Sequence, residues 1–150
     1  MTAVYVDADA CPVKDEIVRV VRRHKIVAHM ISNQWMRLVD DPLIRQVNVE
    51  QGPNITDNWI AERIGPSDIA VTADIPLAAR CLDTGAIVMG PDGRSFTKAS
   101  IGMTLAIRNL NFYLRETGEI SGNNPTFSKK DRLRFLDALE AAVRVAKHLS

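Results

Sequence analysis

Two carboxylates, Asp7 and Asp9, directly follow a short apolar run near the start of the chain, in "VYVDADACPVKDE". A further acid, Asp74, follows another apolar run in "VTAD", and Asp57, in "TDNWIAE", opens a predicted helix. If these apolar runs are strands of a parallel sheet, the acids come to the edge at which such sheets bind ligands. We therefore expect the four acids to lie close together.

Four acids at one edge favour a divalent cation, because two like charges about 4 Å apart repel by roughly 4 kcal/mol near a protein surface. A site with only oxygen ligands favours Mg²⁺ or Mn²⁺. Such an ion activates water and stabilises the leaving oxygen in phosphodiester hydrolysis. We predict Asp7, Asp57 and Asp74 as metal ligands and catalytic residues, with Asp9 as a catalytic residue that positions the water or a second ion.

Each acid also has a structural interpretation, which the sequence leaves open. Asp74, before Ile75 and Pro76, is typical of a helix N-cap. Asp57 is typical of a first-turn acid that the helix dipole favours. Asp9 fits a turn.

Four further residues are candidates for substrate binding: Lys14, Asn33, Thr72 and Arg108. Lys14 is equally explained as a solvated helix residue, Asn33 as a turn residue and Thr72 as a β-branched strand residue. Trp35 and Trp59 are interpreted as core or loop-packing residues, because isolated aromatic side chains without a stacking platform are weak indicators of base binding.

The elements that must position these residues alternate between short apolar runs and helical patterns, which predicts a parallel α/β sheet. The predicted strands are 3–6, 25–31, 46–49, 68–73 and 86–90. The predicted helices are 12–24, 56–65, 75–85, 98–116 and a last one that Ser128 and Asp131 cap and that ends near His148.

Length and composition indicate one globular domain, since 150 residues with 46% hydrophobic and 25% charged residues are ordinary for such a protein. No apolar run approaches the ~20 residues needed to cross a bilayer, so we expect no membrane association. The first ten residues do not resemble a signal peptide. The two cysteines, Cys11 and Cys81, lie far apart, which fits a reducing compartment and predicts a cytoplasmic protein.

The charges divide the chain into two parts within that single domain. Residues 1–93, the predicted sheet-forming part, carry nine Lys/Arg and thirteen Asp/Glu, whereas residues 94–150, a basic helical extension, carry ten and five. A basic part beside a cation-loaded pocket suits a polyanion such as RNA. Arg-rich solvated helix faces explain the same pattern.

Four segments of the chain resemble the YaiI/YqxD-like family of uncharacterised bacterial proteins: "VDADACPVKDE", "TDNWIAE", "DIAVTADIPLAARCLDTGAIVMGPDG" and "SKKDRLRFLDALE". The resemblance runs nearly end to end, and the family is in turn similar to the PIN-like domains, many of which are metal-dependent ribonucleases. It implies a three-layer sandwich with a mostly parallel sheet of about five strands and a C-terminal helical pair. It also matches Asp7, Asp57 and Asp74 to the acids of PIN-like enzymes, with Asp9 as an accessory.

The chain departs from these patterns at three places. Asn54 stands where the family has an acid, so this position offers an oxygen ligand without a charge. Residues 122–124 read Gly-Asn-Asn where Gly-Gly-Pro is expected. The further acid that PIN nucleases place on a middle helix has no secure counterpart.

Three functions remain open at this point. The leading hypothesis is a Mg²⁺- or Mn²⁺-dependent phosphodiesterase that acts on nucleic acid, with RNA preferred over DNA as substrate. The alternative is a non-catalytic module of the same fold that binds RNA or a protein. A haloacid-dehalogenase-like phosphatase with Asp7 as nucleophile fits less well, because "TADIPLA" lacks the later acid pair. The oligomeric state is left open, with a homodimer among the options.

Overall fold

The computed structural model describes residues 2–35, 37–38, 40–52, 54–102 and 128–149. The strands are β1 (Ala3–Asp7), β2 (Val27–Ser32), β3 (Ile44–Asn48), β4 (Ile69–Val71), β5 (Ile87–Met89) and β6 (Ser95–Phe96). The helices are α1 (Lys14–His24), α2 (Ile55–Arg63), α3 (Ile75–Asp83) and the C-terminal helix (Lys129–Leu149), with a short 3-10 turn at Ala8–Ala10.

The strands form one sheet in the order β3-β2-β1-β4-β5-β6. The first five are parallel to one another, and only β6 runs antiparallel, against β5. The predicted α/β class with a mostly parallel sheet is therefore confirmed. The sixth strand was not predicted, because two residues after the "GPDG" turn are too few to form a recognisable pattern.

Helices cover both faces of this sheet, which gives the expected three layers. Successive residues of β1 point to opposite faces. Val4 and Val6 pack with α1 and with Phe135 and Leu139 of the C-terminal helix. Tyr5 points the other way, into a second cluster formed with residues of α2 and α3.

Local capping explains where several elements begin and end. Lys25 ends α1 in the left-handed region, with φ at 54° and its N–H bonded to the Val21 carbonyl, so β2 begins later than predicted. At the start of the C-terminal helix, Ser128 N donates to Asp131 Oδ2 at 2.9 Å and Asp131 N donates to Ser128 Oγ at 3.2 Å. This reciprocal cap confirms the predicted start of the helix.

The predicted helix 98–116 is helical where the structure describes it, over 98–102. The remainder of that helix, Arg108 and the 122–124 segment lie outside the described residues. The described helices include none with the length and apolar character that a bilayer span requires.

Candidate functional site at the carboxyl edge of the sheet

The chain changes winding direction between β1 and β4. From β1 it proceeds outward to β2 and β3, and then returns to place β4 on the other side of β1. The carboxyl ends of the two strands that flank such a reversal border the usual ligand crevice of an open α/β sheet. Asp7 is the last residue of β1, and Thr72 and Asp74 follow β4.

The buried Thr72 hydroxyl connects the two strand ends. It donates to Asp7 Oδ2 at 3.0 Å and accepts from the backbone N–H of Asp74 at 3.0 Å. Thr72 therefore fixes the Asp7 carboxylate and the start of the loop that carries Asp74. The sequence suggested this residue for substrate binding. In the structure its hydroxyl is already hydrogen-bonded to the Asp7 carboxylate and to the Asp74 backbone N–H.

Asp74 and Asp57 both occupy helix N-terminal positions. Asp74 is the N-cap of α3, where its Oδ1 accepts from the N–H of Leu77 at 3.0 Å. Asp57 lies in the first turn of α2. The structural interpretations of these two acids are thus confirmed, and their predicted roles as ligands stand beside them.

Asp7, Asp57 and Asp74, which we call the acidic rim, affect one another electrostatically. Burial raises the pKa of Asp7, the Thr72 hydrogen bond opposes this, and the charges of Asp57, Asp74 and Asp9 raise the pKa further. Burial also raises the pKa of Asp57, the Asp74 charge adds to it and the Arg80 guanidinium opposes it. Three segments remote in sequence therefore concentrate negative charge at the strand reversal.

The donor set of the acidic rim suits a hard divalent cation, since it consists of carboxylate oxygens alone. Within the described parts of the chain, however, no three His, Cys, Asp or Glu side chains converge closely enough to hold one ion. One oxygen of Asp7 is bonded to Thr72 and one of Asp74 to Leu77. Asp57 accepts no hydrogen bond from the described residues. Its side chain can therefore rotate without breaking one, unlike those of Asp7 and Asp74.

Asp9 faces a different strand from the acidic rim. Its carboxylate accepts from the Ser32 hydroxyl and from the Asn33 backbone N–H, the latter at 3.1 Å. The Asn33 side-chain amide also lies against it, and in the amide orientation that satisfies both groups its nitrogen donates to Oδ2 at 3.0 Å. Asp9 and Asn33 thus tie the loop after β1 to the end of β2, and the fully buried Ser32 is a member of this network that sequence patterns did not indicate.

The remaining predicted substrate residue in the described chain is Lys14, the first residue of α1. Its ammonium group donates to the Cys11 carbonyl at 2.8 Å, which holds the loop between Asp9 and α1. Sequence reasoning did not identify Arg80, whose guanidinium donates to Asn58 at 2.7 Å beside Asp57. No motif marks this residue, because its relation to Asp57 arises from the packing of α3 against α2.

The two tryptophans, Trp35 and Trp59, differ in burial. Trp59 is partly buried against the Tyr5 cluster, and the Arg63 guanidinium lies 4.2 Å from its ring centroid, which confirms a packing role. Trp35 follows β2 and is 74% exposed, so its interpretation as a packing residue is wrong. A large, mostly exposed aromatic side chain near a strand end is available for a ligand.

A cleft borders the acidic rim on the side of β5. It has a volume of about 260 Å³ and is lined by Ala73 and Ile75, which flank Asp74, and by Arg94 and Phe96 of the β5–β6 hairpin. Asp92 also lines this cleft, with its Oδ2 4.0 Å from Arg94 Nε, so this side of the acids offers an apolar surface and an Arg–Asp ion pair. Trp35 follows β2, which pairs with β1 on the side away from β4.

Comparison with known proteins identifies relatives over almost the whole chain. A family model described as "Uncharacterized BCR, YaiI/YqxD family" matches residues 5–145. A UPF0178 protein of Parvibaculum lavamentivorans is 56% identical over 147 residues, which cover 98% of this chain and 97% of that protein. UPF0178 proteins of Rhodopseudomonas palustris and Rhizobium etli are 52% and 50% identical, over 96% and 98% of this chain and 91% and 95% of theirs. No solved structure matches the chain.

Proposed function

The chain belongs to the uncharacterised YaiI/YqxD family, and we propose that it is a divalent-cation-dependent phosphodiesterase that acts on nucleic acid, with RNA preferred over DNA as substrate. The observation that carries the proposal is the acidic rim, in which three separate segments bring Asp7, Asp57 and Asp74 to the strand reversal. A divalent cation would offset their mutual repulsion.

Asp7 supports this function most strongly, because its surroundings disfavour the ionised form of its carboxyl group. Asp74 caps α3 and Asp57 benefits from the dipole of α2. Asp7 instead ends a buried strand, where burial and its acidic neighbours disfavour ionisation. Perturbed carboxylates at a ligand crevice are characteristic of catalytic sites.

In this proposal the acidic rim holds Mg²⁺ or Mn²⁺, with the Asp57 side chain rotating to join the other two. When bound, such an ion supplies an activated water and stabilises the leaving oxygen. Thr72 keeps the Asp7 carboxylate oriented toward the crevice. Asp9 acts by positioning, since its carboxylate holds the loop after Asp7 to β2.

The surroundings of the acidic rim suit a nucleic-acid strand. Trp35 presents an exposed ring at the end of β2 on which a base can stack. On the other side, the cleft offers the Phe96 ring for a second base. The exposed Arg94 guanidinium, whose ion pair with Asp92 at 4.0 Å is a weak surface contact, can turn to a phosphate. A strand laid across the carboxyl edge would bring its backbone over Asp7 between these two contacts.

Cleavage of a labelled single-stranded RNA in the presence of Mn²⁺ tests the proposal. Asp7→Asn and Asp74→Asn should lower the rate by about 100-fold or more. Removing a group that only hydrogen-bonds to a metal ligand already lowers activity or metal affinity by about 10–100-fold, and removing a ligand should have a larger effect. Both carboxamides can still accept the hydrogen bonds from Thr72 and Leu77, so the fold should persist. Asp83→Asn, at the exposed far end of α3, is the matched control and should leave the rate unchanged. Full activity in Asp7→Asn would refute the proposal.

A non-catalytic RNA-binding module is the second candidate, and the lack of three converging acids among the described residues favours it. The two functions differ in their requirement for a metal ion. A binding module would retain RNA in a mobility-shift assay with EDTA and would not cleave it with Mn²⁺. Trp35→Ala should weaken binding in either case, so that variant locates the RNA without choosing between the two functions.

A further inference from the structure

A larger cavity lies at the opposite, amino-terminal edge of the sheet. Its volume is about 520 Å³, within the range of small-molecule sites. Its apolar part includes Ile26, Val27 and Leu43. Of the described residues that line the cavity, five are basic and none is acidic; the basic residues are His24, Lys25, His29, Arg45 and Lys147.

Two of these basic residues are explained by the helix ends that meet there. Lys147 Nζ donates to the His24 carbonyl at 2.9 Å, at the end of α1. The His24 ring in turn contacts the Glu140 carboxylate. Cations at helix C-termini offset the negative end of the helix dipole, so these residues need no ligand.

Arg45 is not explained in this way, because it lies on β3 rather than at a helix end. Neither Arg45 nor Lys25 forms an ion pair with an acid among the described residues, and both side chains are exposed toward solvent. Asp68, the acid that acts on His29, uses its two oxygens for the backbone N–H groups of Ala3 and Gly65, at 3.0 and 2.9 Å.

An aromatic ring stands beside Arg45 in the cavity wall. His29 pairs with Arg45 across β2 and β3, and its imidazole is stacked on Tyr5 with the ring centroids 4.9 Å apart. Because paired residues on neighbouring strands point to the same face of a sheet, the imidazole and the guanidinium group lie on one side of it.

We propose that this cavity binds a small phosphate monoester with an apolar or aromatic body, of the size of a nucleoside monophosphate. Arg45 and Lys25 bind the phosphate, and Ile26, Val27 and Leu43 contact its apolar body. Two unpaired cations favour a dianion over a single carboxylate. The site lies at the other end of the strands from the acidic rim and does not depend on the function proposed for it.

Calorimetric titration of the full chain in EDTA tests this site with three probes: AMP, inorganic phosphate and adenosine. AMP should bind with one-to-one stoichiometry, and phosphate and adenosine should each bind at least about tenfold more weakly, since each makes only part of the contacts. Arg45→Gln should weaken AMP binding by about tenfold, as expected for a charge-assisted hydrogen bond. Arg19→Gln, an exposed arginine of α1 outside the cavity, is the matched control and should change affinity by less than about twofold.

Absence of binding up to about 10 mM AMP, far above the range of specific sites, would overturn the proposal. So would equal affinity in Arg45→Gln, or binding that Asp7→Asn abolishes, which would place the ligand at the acidic rim.

Discussion

Replacing Thr72 by valine should uncouple the two strand ends at the acidic rim. The change preserves side-chain shape and removes the hydroxyl that donates to Asp7 and accepts from Asp74 N, both at 3.0 Å. A hydrogen bond to a charged group contributes about 1.5–3 kcal/mol and one to a neutral amide about 0.5–1.5 kcal/mol. Because Asp7 is only partly buried, the lower part of each range applies, and Thr72→Val should lower the free energy of unfolding by about 2–3 kcal/mol.

This loss should depend on pH through Asp7. The Thr72 bond lowers the pKa of Asp7 against the larger effect of burial, so its removal raises that pKa further. The difference in the free energy of unfolding between wild type and Thr72→Val is therefore fully present at pH values above the folded-state pKa of Asp7 in both proteins. It shrinks as the pH falls through them, because a protonated Asp7 depends less on the donor.

Urea denaturation at pH 7 and at about pH 3.5 measures both effects. The matched substitution Thr72→Ser keeps the hydroxyl and should lose much less stability than Thr72→Val. In an Asp7→Asn background the cost of Thr72→Val should fall by at least about 0.5 kcal/mol, the lower bound for residues in direct contact. Equal costs in both backgrounds would refute the idea that Thr72 acts on the Asp7 charge.

Three further predictions concern the charges of the described chain. Asp7→Asn should raise the free energy of unfolding at pH 7, because the raised pKa of Asp7 means that its ionised form destabilises the fold. Urea titrations should show this gain disappear as the pH falls below 3.8, where Asp7 is protonated in both the folded and the unfolded protein. Asp74→Ala should lower stability by about 1 kcal/mol through loss of the N-cap, whereas Asp74→Asn should retain it, as denaturation midpoints can show. The hydrogen bond from His24 lowers the pKa of Glu140, so Glu140→Gln should be less stable than wild type at pH 7, and thermal melts should show this difference vanish as the pH falls from 4.5 through that lowered pKa.

The positions of the strands and acids followed from simple sequence patterns. Short apolar runs predicted β1 and β4, and the rule that ligands bind at the carboxyl edge placed Asp7 and Asp74 there. These patterns are local, and each acid directly follows the run that positions it.

The contacts between those segments could not be predicted in the same way. The bridging role of Thr72 depends on β4 lying next to β1, and that adjacency is a property of the whole sheet. Arg80 reaches Asn58 and Asp57 only because α3 packs beside α2. Trp35 shows the opposite problem, since the general tendency of large aromatic residues to be buried is wrong at this exposed strand end.

The role proposed for Lys25 and Arg45 likewise depends on the three-dimensional structure. Both residues are ordinary in the sequence and lie 20 positions apart. Pairing of β2 with β3 places Arg45 beside His29, and pairing of β1 with β2 brings the start of the chain to the same edge.

The number of Mn²⁺ ions bound per chain, measured by electron paramagnetic resonance of the free ion, tests the role of the acidic rim most directly. Wild type and Asp83→Asn should bind at least one ion at sub-millimolar concentration, and Asp7→Asn and Asp74→Asn should lose it. Equal Mn²⁺ binding by wild type and Asp7→Asn would contradict the account.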